Sequence, residues 1–352
     1  MTKAIALGVA GFIAMLVMME LLLRVLPVST STETGYYTDP VIVTYPPDHR
    51  WTLSTGWDLR NAQTMTANHT GYAATREFTR DVHAVALVGD SFVEASMLAA
   101  VDRPAAQLER LLDSRPVYAM GSPGTALLDY AERIRFAHEH FGTRDFVMLM
   151  ERGDVLQSLC GSGNSHGPCL DPVTLQPRVE KRESPGTAKR IIRHSALAQY
   201  LVSQLKFSMA RLQANAFASP PPSGPADPAR ATEPQTVPPH AVLARVDAVA
   251  GTFFQRIKPH LEGQLIVVLD SDRQAMWHGR WKADPARSHF IRWARQAGAV
   301  VVDTEPLFLA HFQKSRLSLD VGPYDGHLNE IGVNLVMQAA AAALKQLPPA
   351  PE

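Results

Sequence analysis

The sequence predicts an α/β protein, a three-layer α/β/α sandwich with a five-stranded parallel sheet, preceded by an N-terminal transmembrane helix. From His83 onward, short apolar runs alternate with longer amphipathic ones, which is typical of strands and helices around a parallel sheet. The chain has 352 residues, of which 46% are hydrophobic, so it can bury a large core. An apolar run after Lys3 predicts the helix in the membrane.

The N-terminal run AIALGVAGFIAMLVMMELLL is about as long as a bilayer core requires of a helix. A cleaved signal peptide is the alternative, but it has a shorter apolar centre, and here RVLPVSTST follows without an A-x-A cleavage pattern. We therefore expect an uncleaved anchor, in which Glu20 and Arg24 either pair or snorkel separately. The long remainder is expected on the periplasmic or extracytoplasmic side of the inner (plasma) membrane.

The chain divides by composition into an anchor at 1–28, an extended or short-stranded lead-in at 29–80, and an α/β domain at 81–350. A helical excursion with a Pro-rich insertion, at about 195–260, is expected inside this domain. Lys and Arg together number 34, as do Asp and Glu, so no overall field favours nucleic acid as a partner.

The two cysteines, Cys160 and Cys169, enclose the polar stretch GSGNSHGP, whose glycines and proline suit a tight loop. A disulfide is the expected pairing, and such a bond persists in an oxidising compartment, in agreement with the extracytoplasmic side. Two free thiols are the alternative. A metal site is not expected, because only His166 lies in that loop and no second ligand pair has suitable spacing.

Five buried strands are predicted, and each is an apolar run followed by polar residues. They end near Gly89, Met120, Met150, Asp270 and Asp303. Amphipathic segments such as RPAAQLERLLDS, LLDYAERIRFAHEH and RSHFIRWARQA lie between them, and NEIGVNLVMQAAAAALKQL forms the last helix. This order predicts a doubly wound sheet, in which ligands bind beyond the carboxyl ends of the strands.

The strongest candidate for chemistry is Ser91 in VALVGDSF, where an apolar strand leads into a helix. Amides exposed at a helix start favour the negative charge of acyl transfer, although a serine here can also act simply as an N-cap. The segment YDGHLNEIG, just before the last helix, supplies Asp325 and His327. A serine hydroxyl becomes a good nucleophile when an imidazole takes its proton and a carboxylate orients that imidazole.

These motifs, GDSF early, a glycine after the second strand and DGHLN before the last helix, resemble the SGNH (GDSL-like) hydrolase superfamily, which has a flavodoxin-like fold. The resemblance spans roughly Val82 to Leu347. It implies that Ser91 is the nucleophile and first oxyanion donor, Gly124 the second donor, His327 the general base and Asp325 its partner.

The sequence departs from the family pattern in two places. Where the family commonly has an asparagine that donates to the oxyanion, FVMLMERGDV has Gly153; Arg152 is a conceivable substitute or else a solvated charge. Asp90, Arg152, Gly153 and Asp154 are therefore candidates to line the site. Many members have an aspartate three positions before the histidine, where this chain has Tyr324. The shorter D-x-H spacing resembles that of envelope polysaccharide O-acetyltransferases.

The resulting hypothesis is a serine esterase or O-acyltransferase that acts on acyl, most simply acetyl, esters of an envelope or extracellular polysaccharide and needs no cofactor or metal. An acylated glycan or a small ester is the expected substrate, with polysaccharide biosynthesis or export proteins as candidate partners. The alternative is a catalytically weak or inactive SGNH-fold module for binding or assembly in polysaccharide export. A lipase that takes its substrate from the adjacent bilayer is a third hypothesis, with no specific residue in support.

Weaker candidates are also present in the sequence. A histidine pair closes a helix in AHEHFG, where cationic side chains suit the helix dipole, and two tryptophans in MWHGRWKAD could stack on sugar rings or simply pack. Polar residues after the fourth strand could line the crevice. These candidates are His138 and His140, Trp277 and Trp281, and Asp270, Asp272 and Arg273.

Overall fold

A computed structural model describes residues 2–30, 33, 35–164, 166–181, 186, 193–205, 239–322 and 325–346. The chain divides into two compact units. The first comprises Met1–Ser31, Thr52–Ala62 and Pro185–Val242, and the second Thr32–Trp51, Gln63–Ser184 and Leu243–Glu352. The predicted Pro-rich insertion lies largely outside the described residues.

The strands are numbered in chain order. They are β1 (Tyr36–Asp39), β2 (Ile42–Thr44), β3 (Arg50–Thr55), β4 (Arg60–Thr66), β5 (Val85–Gly89), β6 (Val117–Gly121), β7 (Asp145–Met150), β8 (Pro168–Leu170), β9 (Pro177–Val179), β10 (Leu265–Leu269) and β11 (Val300–Asp303). The helices are α1 (Thr2–Val25), α2 (Ser91–Glu94), α3 (Pro104–Leu111), α4 (Leu127–Phe141), α5 (Asp154–Gln157), α6 (Ala196–Gln199), α7 (Pro239–Ile257), α8 (Arg273–Trp277), α9 (Pro285–Gln296), α10 (Thr304–Lys314) and α11 (Glu330–Gln346).

The central sheet of the second unit has five parallel strands in the order β11-β10-β7-β5-β6. Counted along the chain this is the order 2-1-3-4-5 of a doubly wound sheet, whose direction of winding reverses between β5 and β7. The predicted fold class is confirmed. The predicted strand ends agree with the structure at Gly89, Met150 and Asp303 and differ by one residue at the other two strands.

Both faces of this sheet are covered, which explains why its strands are apolar throughout rather than alternating. Along β5, Ala86 and Val88 belong to one buried apolar cluster, whereas Val85 and Leu87 belong to the other. The helices α4, α7 and α9 pack on the first face, and α3, α10 and α11 pack on the second. The helix α7, expected in the excursion, is thus part of a helical layer over the sheet.

The lead-in forms short two-stranded sheets, β1 with β2 and β3 with β4. The cysteine segment forms the antiparallel pair β8 and β9, and Cys160 and Cys169 are joined by a disulfide. The expected pairing of the two cysteines is therefore present.

In the first unit, α1 is apolar and exposed to its surroundings, and from Lys3 to Val25 it is long enough to cross a membrane. A signal sequence near the N-terminus has the same features. Glu20 pairs with Arg24 at 2.8 Å, the first of the two alternatives that the sequence left open. It also accepts hydrogen bonds from Ser195 Oγ and from the backbone N–H groups of Ala196 and Leu197. The same carboxylate therefore caps the start of α6.

Candidate active site

Ser91 is the first residue of α2 and follows the carboxyl end of β5, where the winding of the sheet reverses. Ligands of doubly wound proteins bind at this position. Asp90 is the N-cap: its carboxylate accepts a hydrogen bond of 2.8 Å from the Phe92 N–H. The short helix ends at Ala95, which has a left-handed conformation.

Glycines at the ends of β5 and β6 allow this turn to lie close to its neighbours. A Cβ at Gly89 would come within 2.5 Å of Leu149 O, and a Cβ at Gly121 within 2.6 Å of Glu94 N. Backbone atoms cannot yield to such contacts as the end of a flexible side chain can. The position of Ser91 therefore depends on the absence of side chains at both sites.

The structure brings Ser91, His327 and Asp325 together. His327 Nε2 lies 2.8 Å from Ser91 Oγ, and His327 Nδ1 lies 2.5 Å from Asp325 Oδ1. The carboxylate of Asp325 also accepts the backbone N–H of His327 at 3.0 Å. The three side chains thus form one hydrogen-bonded chain from carboxylate through imidazole to hydroxyl, although their catalytic roles stay a prediction.

The surroundings of His327 act on its pKa in opposite directions. Burial disfavours the imidazolium, but Asp325 and the more distant Asp90 stabilise it, so the pKa of His327 lies above its ordinary value of 6.5. The Phe92 ring packs against the imidazole with 4.8 Å between ring centroids. This arrangement suits a base that must hold a proton for part of a reaction.

Two of the residues predicted to line the site, Asp90 and Asp154, have buried carboxyls. Burial raises the pKa of Asp90 to about 6, and burial together with the charges of Asp90 and Glu151 raises the pKa of Asp154 well above its usual range. Asp154 accepts hydrogen bonds from Tyr130 Oη at 2.9 Å and from Glu151 N at 2.8 Å. Because Asp154 makes these contacts inside the protein, it supports the turn after β7.

Gly124 lies in the loop after β6 with φ of +68°, a conformation that favours glycine. The same loop is tied to the end of β5, since Ser122 N donates to Gly89 O at 3.3 Å. A Cβ at Gly124 would be 3.7 Å from His166 Nε2 and 3.9 Å from Asn164 Oδ1. The disulfide loop therefore lies directly beside this glycine, which sequence reasoning did not anticipate.

Arg152 and Gly153 follow the end of β7. The Arg152 guanidinium is ion-paired with Asp272 and lies 3.6 Å from Glu151, so its charge is engaged by carboxylates. Gly153 is the N-cap of α5, and its N–H donates to Glu151 Oε2 at 2.5 Å. The role of either residue in catalysis stays a prediction.

An arginine network that sequence reasoning largely missed holds the loop of His327. Arg273 donates to Asp320 Oδ1 at 2.6 Å, to Asp270 and to the backbone carbonyl of Gly326. Its guanidinium also lies 5.5 Å from the centre of the Phe92 ring. Asp270 and Arg273 were expected only to line the crevice, and Asp320 gave no signal because it precedes the recognisable motif.

The weaker candidates make other contacts. His138 Nε2 lies 3.2 Å from a Glu262 carboxylate oxygen, and Trp277 stacks on Phe312 with centroids 6.4 Å apart. Trp281 packs against the apolar cluster on the second face of the sheet. Among the described residues, no group of three or more His, Cys, Asp or Glu side chains is placed to hold a metal ion.

Fold and site together define the class: a doubly wound α/β protein with a Ser-His-Asp hydrogen-bonded chain at its switch point, as expected of the SGNH (GDSL-like) hydrolases that the sequence resembles. No protein-family model and no curated protein matches the chain.

Among solved structures, the chain is similar to a catalytic mutant of an acetylxylan esterase from Geobacillus stearothermophilus, with 12% identity, coverage of 75% of this chain and 95% of that one, and a TM-score of 0.40. It is also similar to a lipolytic protein of the G-D-S-L family from Veillonella parvula DSM 2008 (11% identity, 75% and 99% coverage, TM-score 0.37). A third is LAE5, an alpha/beta hydrolase enzyme from the metagenome of Lake Arreo, Spain (14% identity, coverage of 77% of this chain and 98% of that one, TM-score 0.37).

Proposed function

We propose that this protein is a serine esterase or O-acyltransferase that acts on acyl esters, most simply acetyl esters, of an envelope or extracellular polysaccharide through an acyl-Ser91 intermediate. The observation that carries the proposal is the chain of hydrogen-bond distances from Asp325 through His327 to Ser91, 2.5 and 2.8 Å, at the switch point of the sheet. A serine used only as an N-cap has no need of an oriented imidazole.

The first half of the reaction forms the acyl-enzyme. Ser91 Oγ attacks the ester carbonyl carbon while its proton passes to His327 Nε2, and the carbonyl π electrons move to the oxygen. Asp325 stabilises the resulting imidazolium through Nδ1–H. The tetrahedral intermediate then collapses: the C–O bond to the alcohol breaks, His327 returns its proton to the leaving alkoxide, and the acyl group stays on Ser91.

The second half repeats these steps with a new nucleophile. Water or a glycan hydroxyl gives its proton to His327 and attacks the acyl carbon, and Ser91 Oγ leaves and recovers the proton. Water yields an esterase, and a sugar hydroxyl yields an acyltransferase. The backbone N–H groups of Ser91 and Gly124 are the proposed donors to the oxyanion in both halves.

The proposal is tested by turnover of a simple acetyl ester and by labelling of the full-length, detergent-solubilised protein with a fluorophosphonate. The probe is expected to label Ser91, and Ser91→Ala and His327→Ala to lower turnover by about 10³-fold or more. Ser288→Ala, a change in α9 in the helical layer on the first face of the sheet, is the matched control. Unchanged turnover in both site variants would refute the triad.

The alternative function, a non-catalytic module for binding or assembly in polysaccharide export, is favoured by Gly153, which lacks the expected side-chain donor. It predicts a folded protein that the probe never labels. Transferase activity is distinguished from hydrolysis by adding a de-acetylated glycan to the acetyl-ester reaction. A transferase then moves the acetyl group from Ser91 to the glycan, and less free acetate is released.

We further propose that α1 is an uncleaved anchor and that the domain lies on the periplasmic or extracytoplasmic side of the inner membrane. The length of α1 and the disulfide between Cys160 and Cys169 support this proposal. The protein should stay in the membrane fraction after an alkaline wash and be digested by protease added to spheroplasts. Release by the wash, together with loss of the N-terminal peptide, would instead identify a cleaved signal sequence.

A further inference from the structure

The space that a side chain at position 153 would occupy is already filled. A Cβ built on Gly153 would lie 2.5 Å from Gln157 Nε2, 2.6 Å from Glu151 Oε2 and 3.2 Å from Gln157 Cδ. Glu151 Oε2 is already hydrogen-bonded to the Gly153 N–H, so the Gln157 carboxamide is the group there that can donate. Gln157 is four residues further along α5, and helical side chains extend back over the preceding turn, so its carboxamide lies over Gly153. We propose that Gln157 Nε2–H is the side-chain donor to the oxyanion in this protein, in place of a residue at 153.

The position of this carboxamide relative to the serine follows from its neighbours. In the sheet, Gly89 is paired with Leu149, so the segments that leave β5 and β7 start side by side. The residues on either side of the turn, Glu151 and Asp154, both interact electrostatically with Asp90. Because Asp90 is adjacent to Ser91, the turn covered by Gln157 and the nucleophile lie at the same edge of the sheet.

The carboxamide is also available to a ligand. Within the described part of the chain, the Gln157 side chain makes no hydrogen bond; its backbone carbonyl accepts from Ser162 Oγ at 2.6 Å. Arg152, the other candidate, is instead bound to Asp272 and Glu151. An N–H donor is worth most when it is already in place at the oxygen on which charge develops, so an unengaged amide at the edge of the sheet that carries the serine suits this task.

This inference rests on the proposed function, because a donor to an oxyanion has a role only if Ser91 attacks an acyl group. It assigns the donor to a residue that no motif marks. The chemistry is unchanged: the carbonyl oxygen gains charge as the C–O bond to Ser91 forms, and the amide N–H shares that charge without giving up its proton.

The test compares four proteins in acetyl-ester turnover: wild type, Gln157→Ala, Gly153→Asn and the double variant. Gln157→Ala is expected to lower kcat about 10- to 100-fold, with KM nearly unchanged, because the interaction forms mainly in the transition state. In the double variant, asparagine takes the space that Gln157 vacates, and the flexible end of the Glu151 side chain shifts to admit it. The kcat should then recover at least about tenfold over Gln157→Ala. Gln338→Ala, on α11, is the control for a lost surface amide.

An unchanged kcat in Gln157→Ala overturns the proposal. A loss of kcat that the added Gly153→Asn change does not repair also overturns the proposal. Such a result would assign Gln157 a role in folding of the turn, and the melting temperature of Gln157→Ala would then be lowered. Gln157→Glu, nearly isosteric but without N–H donors, should lower kcat at least as much as alanine. Failure of the proposed function is distinguishable, since Ser91→Ala would then match wild type.

Discussion

The imidazole of His327 lies 2.8 Å from the hydroxyl of Ser91, although 236 positions separate the two residues in the chain. The loop that carries His327 is held from both sides, by Asp325 at its ring and by Arg273 at the carbonyl of Gly326. The imidazole is therefore aligned by contacts that do not involve the serine itself.

Asp325→Asn should change both the rate and its dependence on pH. The neutral imidazole is the base, so wild-type kcat/KM should rise with pH through the pKa of His327, which lies above 6.5. Asp325 stabilises the imidazolium; without its charge the pKa falls and the rise moves to lower pH. The plateau should fall by about 10²- to 10⁴-fold.

The matched control for this change is Asp48→Asn, because Asp48 is paired with His69 at 3.1 Å on the surface. It should leave the profile unchanged. A pH profile of Asp325→Asn that superimposes on that of wild type would show that Asp325 does not act on the base.

Arg273→Met should destabilise the protein and slow turnover. Arg273 is 6% exposed and pairs with Asp270 and Asp320, which are equally buried, so the variant leaves two carboxylates without their cation. Loss of one partner from a buried ion pair costs about 3–5 kcal/mol of unfolding free energy. Urea denaturation measures this loss, with exposed Arg280→Met as the control; equal midpoints for the two variants would contradict the prediction.

Loss of the disulfide should affect activity as well as stability. For a loop of this length, the chain-entropy model gives about 2–3 kcal/mol of unfolding free energy. Because Asn164 and His166 lie beside Gly124, a looser loop should also lower kcat/KM. Dithiothreitol should lower wild-type activity to that of Cys160→Ser/Cys169→Ser and have no effect on that variant; an active, reductant-insensitive wild type counts against the coupling.

Glu94→Gln should reduce the dependence of stability on pH. Burial raises the pKa of Glu94 from 4.5 to about 7, and Tyr45 Oη donates to its carboxylate at 2.5 Å. The folded state therefore binds more protons than the unfolded state between about pH 4.5 and 7. This residue makes the free energy of unfolding fall as pH rises through that window.

Glutamine is neutral in both the folded and the unfolded state, so Glu94→Gln removes this contribution. The unfolding free energy of Glu94→Gln minus that of wild type should therefore increase from pH 5 to pH 8. Urea denaturation at the two values measures the difference, and Glu77→Gln, at an exposed carboxylate, serves as the control. Parallel behaviour of wild type and Glu94→Gln would mean that Glu94 titrates alike in the folded and unfolded states.

The sequence predicted the sheet well because its strands are buried on both faces. A strand covered by helices on each side must be apolar throughout, so its end is marked by the first polar residues, as at Gly89 and Met150. The same logic singled out Ser91, and the motif around Asp325 and His327 is local in the chain. These residues could be predicted from the sequence because each follows or precedes an element whose type is evident from periodicity.

Other parts of the site had no such signal. Asp320 and Arg273 form a buried network with Asp270, and their positions 47 residues apart in sequence give no hint of contact. Likewise, the approach of Asn164 and His166 to Gly124 depends on the path of a loop closed by a disulfide. Contacts of this kind arise when several elements pack on the sheet, and no single segment encodes them.

The sequence by itself determined the apolar N-terminal segment, the alternation of strands and helices and the residue types of the site, because these depend on local periodicity and chemistry. Tertiary structure decided the strand order that makes Ser91 the residue at the switch point and the long-range approach of His327 to it. It also decided that the ends of the Gln157 and Glu151 side chains, rather than a side chain at position 153, fill the space over the turn after β7. These are distances between segments far apart in the chain, and only the packing of helices on a common sheet sets them.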